Sequence, residues 1–199
     1  MNYVYYIYPK HILGLFIFIM PGIQDYPVMI DLKQHKFDEQ FQISYRNFMK
    51  EIFEGQVRLA RALEEKLGKE EAHKIIYKTR VNSDLEQVKK QLQEMGKPSN
   101  FEEFKKIMHQ LHENDFAKHL FTVNYPIDND IETEFNTTEC IMSEVFKELG
   151  AEDLGYLMVC KPDYDTTPEY NENVSLERTK CLMLGDDCCD TKYCWNKNK

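Results

Sequence analysis

The stretch NVSLERTKCLMLGDDCCDTKYCW, residues 173–195, predicts two antiparallel strands near the C-terminal end of the chain. Apolar and polar residues alternate within it on both sides of Gly185-Asp186-Asp187, which has the composition of a turn. A turn centred on Asp186 would set the register of the last strand and therefore the face on which each side chain lies. The stretch predicts a hairpin, and the hairpin indicates an antiparallel sheet.

Side chains of the last strand alternate between the two faces of the predicted sheet. One face, which we expect to point inward, carries Cys189, Thr191 and Tyr193. The opposite face carries both charges of the strand and is predicted to face solvent. Its members are Cys188, Asp190, Lys192 and Cys194.

The preceding strand of the hairpin places a cation, Arg178, on an otherwise mainly apolar face. A buried cation needs a partner, because an unpaired charge is costly to remove from water. That partner would be either a structural carboxylate or the carboxylate of a ligand held by the guanidinium fork.

Strand patterns also occur upstream, in residues 116–125 and 130–140. In the first, Phe116, Leu120 and Thr122 fall on one side. In the second, the residues on one side are Ile131, Thr133 and Phe135. Residues 140–150 then predict a short helix that Gly150 ends.

Helical periodicity dominates the N-terminal half of the chain. Residues 37–67 predict a long helix that Gly68 ends, and residues 69–80 predict a shorter one. Two capping boxes predict the start of a third and a fourth helix, the third ending at Met95-Gly96. The boxes are Ser83 with Glu86 and Ser99 with Glu102. The fourth helix has an apolar side formed by Phe101, Phe104, Ile107, Met108 and Leu111.

Helices followed by antiparallel strands predict an α+β fold with N-terminal helices, an antiparallel sheet and a C-terminal hairpin. We expect residues 31–199 to form a single domain, and residues 1–30 to form an apolar N-terminal extension or arm. The apolar run at 12–20 is shorter than the roughly 20 residues that a membrane-spanning helix needs. It leaves weak export or membrane association open, but no stable membrane span is expected.

Composition limits the classes of partner. The formal net charge of −9 and the absence of a basic cluster exclude a nucleic-acid partner, which requires a positively charged face. Six cysteines occur at irregular spacing in a chain long enough to bury a core without disulfides. We therefore expect free thiols and a cytoplasmic protein. A disulfide-stapled C-terminal tail of an exported protein is the alternative.

Two stretches resemble a known family: ECIMSEVFKELGAEDLGYLMVCKPDYD, residues 139–165, and LERTKCLMLGDDCCD, residues 176–190. Their order and spacing are similar to those of the L-2-amino-thiazoline-4-carboxylic acid hydrolase family. The resemblance covers residues 38–195, and its specific part is confined to residues 140–190. Cys188 and Cys194 are extra cysteines relative to the family pattern.

The resemblance implies a hydrolase that opens a small, carboxylate-bearing cyclic amidine or thiazoline ring to a carbamoyl-cysteine-like product. Asp163 suits the general base that takes a proton from water. Arg178 and Asp190 are the predicted substrate-binding residues. Cys140, Cys160 and Cys189 suit a nucleophile with supporting thiols, three ligands of a divalent metal, or small buried thiols. A small molecule is the expected partner, and a homo-oligomer is compatible with the sequence.

A second function remains open, because helices followed by a cysteine-bearing terminal hairpin also resemble the small-molecule-binding domains of the 4-vinyl-reductase type. Such a domain would bind a ligand, as a sensor or carrier, without hydrolysing it. It would need an apolar pocket and no general base. His109 and His112 could share a helical face, although their spacing by itself indicates solvated or core histidines rather than a metal site.

Overall fold

The computed structural model describes residues 42–196. The expected arm at residues 1–30 lies outside the described residues. The helices are α1 Tyr45–Leu67, α2 Lys69–Met95, α3 Phe101–Glu113, α4 Ile141–Glu148, α5 Glu152–Gly155 and α6 Asp163–Tyr170. The strands are β1 Phe121–Asp128, β2 Glu132–Cys140, β3 Val174–Glu177 and β4 Cys189–Trp195. Short 3₁₀ turns occupy Ala117–His119 and Leu182–Leu184, and a π-helical turn, Tyr156–Cys160, continues α5.

All four strands form one antiparallel sheet in the order β1-β2-β4-β3. Among the described residues three helices precede this sheet, so the predicted α+β class is confirmed. Pro126 lies in β1, an edge strand, where a residue without a backbone N–H group does not interrupt the sheet. Within residues 42–196, no helix has both the length and the apolar character that crossing a bilayer requires.

The C-terminal hairpin is confirmed as a pair of strands but not as a tight turn. β3 and β4 are adjacent and antiparallel, with Glu177 opposite Lys192. The chain between them leaves the sheet, because Cys181 and Met183 are buried among the helices rather than placed on a strand. Gly185 then adopts a left-handed φ of 101°, which glycine accommodates without strain.

The predicted start of the first strand is wrong. Residues 116–120 include a 3₁₀ turn, and the strand begins at Phe121. Phe116 and Leu120 are both buried in the helical part of the core, and their separation of four residues suits one side of a helical turn. In β2, alternation is confirmed by the burial of Thr133, Phe135 and Thr137, whereas Ile131 is exposed.

Helix boundaries differ from the sequence prediction at three points. Residues 42–44 are not helical, and Ser44 caps α1 by accepting a hydrogen bond from the Asn47 backbone. The predicted break at Ser83 does not exist, since α2 runs through it without interruption. The cap of α3 is Asn100, one residue later than predicted, and it accepts a hydrogen bond from the Glu103 backbone at 2.9 Å.

The buried apolar side chains form two clusters. One joins α1, α4 and α5 to the segment after β3 around Phe53, Phe146 and Met183. Gly155 lies at the centre of this contact, where an added Cβ would come within 2.5 Å of Met183 and 2.6 Å of Phe146. The other cluster packs α3 and α6 against the inner face of the sheet, around Phe104 and Tyr193. The cavity described next lies beside this second cluster.

Candidate functional site

A cavity of about 300 Å³ lies between the inner face of the sheet and helices α3 and α6. This volume is at the lower end of the range for small-molecule pockets, roughly 300–1,000 Å³. Its wall has a polar end and an apolar end, which adjoin where Thr191 of β4 lies opposite Phe135 of β2. The polar end carries Asp163, Arg178, Thr191 and three cysteines, and the apolar end is lined mainly by α3, β1 and β2.

Arg178 organises the polar end of the cavity. Its Nη2 donates to Asp163 Oδ2 at 2.8 Å, its Nη1 to the Cys160 carbonyl at 3.1 Å and its Nε to Thr191 Oγ1 at 3.0 Å. A guanidinium has five N–H groups, so two remain for a ligand. The predicted need for a partner is therefore met by a carboxylate of the chain, Asp163.

Asp163, at the start of α6, faces the cavity while most of its surroundings are protein. Its side chain is 43% accessible, whereas that of Arg178 is only 8% accessible. Burial raises the pKa of the Asp163 carboxyl, although the Arg178 and Arg80 cations oppose this. For Arg178, burial lowers the pKa, but the charge of Asp163 and its hydrogen bond outweigh burial and keep the guanidinium protonated.

A second buried ion pair stands behind Asp163. Arg80 donates from Nε to Asp84 Oδ2 at 2.9 Å, and the two side chains are 12% and 16% accessible. Both belong to α2, which packs against α6, and their charges act on Asp163. Burial raises the pKa of Asp84 to about 6 and lowers that of Arg80. The polar end of the cavity and the protein behind it thus contain two ion pairs, with two cations and two carboxylates.

Three thiols meet next to this network. The thiols of Cys160 and Cys189 are hydrogen-bonded to Cys181, and Cys189 Sγ also accepts from the Leu182 backbone at 3.2 Å. These two hydrogen bonds lower the pKa of Cys181, while the same bonds, followed by burial, raise the pKa of Cys160 and of Cys189. Cys160 and Cys189 line the cavity and are held as neutral thiols.

Cys140 is the third cysteine of the cavity wall. It ends β2 and is the N-cap residue of α4. Burial raises the pKa of its thiol, although the backbone N–H groups at the start of α4 oppose the effect. Cys140 is therefore also a neutral thiol at rest.

A metal site requires several ligand atoms close to one another. In residues 42–196, the only His, Cys, Asp and Glu group whose ligand atoms all lie within 4.8 Å of one another is Glu64, His73 and Asp153. Arg61 and Lys69 already pair with that group, so its charge is compensated. The sulfur atoms of Cys140, Cys160 and Cys189 do not all lie within 4.8 Å of one another. The same holds for those of Cys160, Cys181 and Cys189. Thiolates are nevertheless the ligands that zinc and other soft cations prefer.

Asp190 is not brought to the cavity wall. It lies on the opposite face of β4, where its carboxylate accepts from the backbone N–H groups of Thr179 at 2.8 Å and Lys180 at 2.6 Å. It also accepts from the Thr179 hydroxyl. Asp190 therefore holds the segment that follows Arg178, which is a positioning role rather than contact with a substrate.

The apolar end of the cavity contains aromatic rings and one histidine. Phe104, Phe121 and Phe135 contribute to the wall, together with His112 at the end of α3. His112 Nδ1 lies 2.6 Å from the Tyr125 hydroxyl, and its ring packs edge-on against Phe135. Burial, followed by the nearby His109, lowers the pKa of His112 to about 4, so the imidazole is neutral at physiological pH.

Comparison with known proteins agrees with this arrangement of motifs. The family model for L-2-amino-thiazoline-4-carboxylic acid hydrolase matches residues 45–193, which contain the whole cavity wall. The chain belongs to this family. The resemblance of residues 139–165 and 176–190 is thereby confirmed, and these residues include both Asp163 and Arg178.

The chain is also similar to a solved structure. The phenol-responsive sensory domain of the transcription activator PoxR, crystallised with phenol, is similar over 81% of this chain and 80% of its own. The identity is 13% and the TM-score is 0.48. No curated protein sequence matches the chain.

Sequence reasoning missed several groups of the site. Cys181 was not among the predicted residues, although it is the cysteine at which the other two thiols meet. The pairing of Arg80 with Asp84 was missed because a helix break was expected at Ser83. In the continuous helix α2 the two residues are four apart and lie on the same side. His112 was interpreted as a core or solvated histidine, and its place on the apolar side of α3 was the signal available for it.

Proposed function

We propose that the protein is a hydrolase that opens a small, carboxylate-bearing cyclic amidine or thiazoline ring in this cavity. The observation that carries the proposal is the contact of Asp163 with Arg178 at the cavity wall, beside three neutral thiols, in a chain of this hydrolase family. A base and a carboxylate-binding cation are the two groups that the reaction requires.

The reaction adds water to the amidine carbon of the ring and breaks the bond from that carbon to the ring sulfur. Arg178 donates a hydrogen bond to Oδ2 of Asp163, so Oδ1 remains to accept a proton from the attacking water. A carboxyl whose pKa is raised by burial can hold that proton and return it to the departing sulfur. The two remaining N–H groups of Arg178 would bind the substrate carboxylate.

The protonation of the thiols favours activated water over a cysteine nucleophile. Attack by cysteine requires the thiolate, and the three cysteines of the cavity wall all have raised pKa values. Cys181, whose pKa is lowered, is only 4% accessible and is outside the cavity wall. Cys160 and Cys189, whose S–H groups are engaged with Cys181, are therefore assigned as neutral residues of the cavity wall rather than as nucleophiles.

Steady-state kinetics with 2-amino-thiazoline-4-carboxylate tests these roles. Asp163→Asn is expected to lower kcat by about 10²–10⁴-fold with little change in KM, because a general base acts in the transition state. Arg178→Lys keeps a cation beside Asp163 but loses the planar fork, so it is expected mainly to raise KM.

Asp165→Asn is the matched control, since Asp165 lies on the same helix and is exposed outside the cavity wall. Its kcat should stay within twofold of the unchanged protein. An unchanged kcat in Asp163→Asn would remove Asp163 as the base. Equal losses in Asp163→Asn and Asp165→Asn would show that the effect is not specific to the cavity.

A non-catalytic ligand-binding domain is the second candidate, and the aromatic end of the cavity favours it. Such a domain would bind an apolar ring without altering it. Tight binding of an apolar ligand, combined with no turnover of any cyclic amidine or thiazoline, would establish this function in place of the hydrolase.

Three further expectations stay predictions. A divalent metal held by Cys140, Cys160 and Cys189 would need the sulfurs to move closer together, and elemental analysis of the purified protein tests for it. Cytoplasmic location is consistent with six free thiols. Assembly into a homo-oligomer can be measured by sedimentation.

A further inference from the structure

The proposed chemistry uses only one end of the cavity. The base, the carboxylate-binding cation and the thiols all belong to the polar end, around Asp163 and Arg178. The cavity continues to the aromatic end, where α3, β1 and β2 form the wall. A bare five-membered ring held by Arg178 fills only part of a cavity of about 300 Å³.

His112 is the polar group that the aromatic end presents. Its Nδ1 forms a hydrogen bond with the Tyr125 hydroxyl at 2.6 Å. Its ring packs edge-on against Phe121 and Phe135. The other ring nitrogen, Nε2, is the atom left for a ligand, because His112 lines the cavity. A ligand that forms a hydrogen bond with this nitrogen is selected over one of the same shape that cannot.

A hydrogen bond donated by Tyr125 to Nδ1 would place the proton of the His112 imidazole on Nε2. Burial raises the pKa of Tyr125 to about 12, so its hydroxyl stays protonated and can donate to Nδ1. A neutral imidazole that accepts at Nδ1 carries its proton at Nε2. The group offered to the ligand is then an N–H donor in an aromatic wall.

We infer that His112 and Tyr125 form a second recognition point, and that the substrate is a ring carboxylate bearing an apolar or aromatic substituent that ends in a hydrogen-bond acceptor. This inference rests on the proposed function for the orientation of the ligand, with its carboxylate at Arg178. His112 is a specificity-determining residue that contacts the substituent and takes no part in ring opening.

Binding of matched probes tests the inference without requiring turnover. The probes are 2-amino-thiazoline-4-carboxylate with no substituent on its exocyclic nitrogen, with a phenyl group there, and with each of the three pyridyl isomers. Phenyl and pyridyl have the same shape, and only pyridyl carries an acceptor nitrogen. The unchanged protein should bind the phenyl probe more tightly than the bare ring, and one pyridyl isomer about tenfold more tightly than phenyl, as a single buried hydrogen bond allows.

Three variants distinguish the hydrogen bond that His112 donates from the packing of its ring. His112→Phe should bind phenyl and pyridyl probes equally and keep its affinity for the bare ring within twofold. His112→Gln restores an N–H donor and should recover part of the pyridyl preference. Tyr125→Phe removes the hydroxyl that directs the proton to Nε2, so its preference should be smaller than that of the unchanged protein. Thermal melting of each variant verifies that it is folded.

The outcomes separate this inference from the proposed function. A pyridyl preference that His112→Phe abolishes, together with no ring opening, would keep the second recognition point and refute the hydrolase. Equal binding of phenyl and all pyridyl probes by the unchanged protein would overturn the inference, whether or not the bare ring is opened. Weaker binding of every substituted ring than of the bare ring would also overturn it.

Discussion

The charge of His112 depends directly on its surroundings. In the folded protein it is enclosed by aromatic rings, and its pKa of about 4 lies below its ordinary value of 6.5. Between these two pH values the unfolded chain binds a proton that the folded chain does not. Protonation of this group therefore leaves the free energy of unfolding unchanged above pH 6.5 and lowers it progressively as pH falls toward 4.

Replacing this residue should remove that pH dependence. Lowering the pH from 7 to 4.5 should destabilise the unchanged protein by about 2–3 kcal/mol more than His112→Phe, since one pKa unit corresponds to about 1.4 kcal/mol. Urea unfolding of both proteins at the two pH values measures the difference. Asp84 has the opposite pH dependence, but it is present in both proteins and cancels.

His119→Gln is the control for this prediction, because His119 is exposed and stacks on Tyr45 at the surface. Its free energy of unfolding at pH 7 should lie within about 0.5 kcal/mol of that of the unchanged protein, because it removes a histidine without opening the core. A His112→Phe difference that is equally large at pH 7 and pH 4.5 would show that packing, rather than protonation, accounts for the effect.

At the scale of secondary-structure elements, the continuity of α2 positions the site. This helix runs without a break from Lys69 to Met95 and carries Arg80 and Asp84 to the side that packs against α6. A start at Ser83 would end the preceding helix there and separate these two residues from a common face. The ion pair behind Asp163 therefore depends on the helical conformation of residues 80–84.

Alanine substitutions distinguish a continuous helix from a capped start. Ser83→Ala is expected to leave the free energy of unfolding unchanged or raise it by up to about 0.5 kcal/mol, because alanine has the higher helix propensity. Asn100→Ala removes an observed cap and should lower it by about 1 kcal/mol. Chemical denaturation measures both, and a loss near 1 kcal/mol at Ser83 would contradict the continuous helix.

At the scale of the whole molecule, the core is built without covalent cross-links. All six cysteines are free, and two apolar clusters join the helices to each other and to the sheet. A chain with this much buried apolar surface does not depend on disulfides for its folding. The cysteine-rich C-terminal segment is then stabilised by packing and hydrogen bonds.

The protein purified from a reducing cytoplasm should therefore titrate six thiols after denaturation without reductant. Its melting temperature should change by no more than a few degrees when dithiothreitol is added, because no cross-link is lost. Fewer than six thiols, together with a melting temperature that falls by tens of degrees, would support the disulfide-stapled tail instead.

Local patterns of the sequence determined the fold class and the faces of the strands. Alternation along β4 predicted the inward side chains Thr191 and Tyr193, and the structure buries both. The apolar side of α3 was likewise predictable, because helical periodicity is a property of neighbouring residues. The family resemblance of residues 140–190 was also readable, since its motifs are contiguous.

Only the tertiary structure decided which distant residues meet. Asp163 and Arg178 were predicted separately, as base and substrate-binding cation, and their hydrogen bond follows from the packing of α6 on β3. Cys181 joins the thiols because the chain after β3 leaves the sheet, which no periodicity of that segment indicates. Alternation sets the face on which a side chain lies, but the partner it finds there depends on how the helices pack over the sheet.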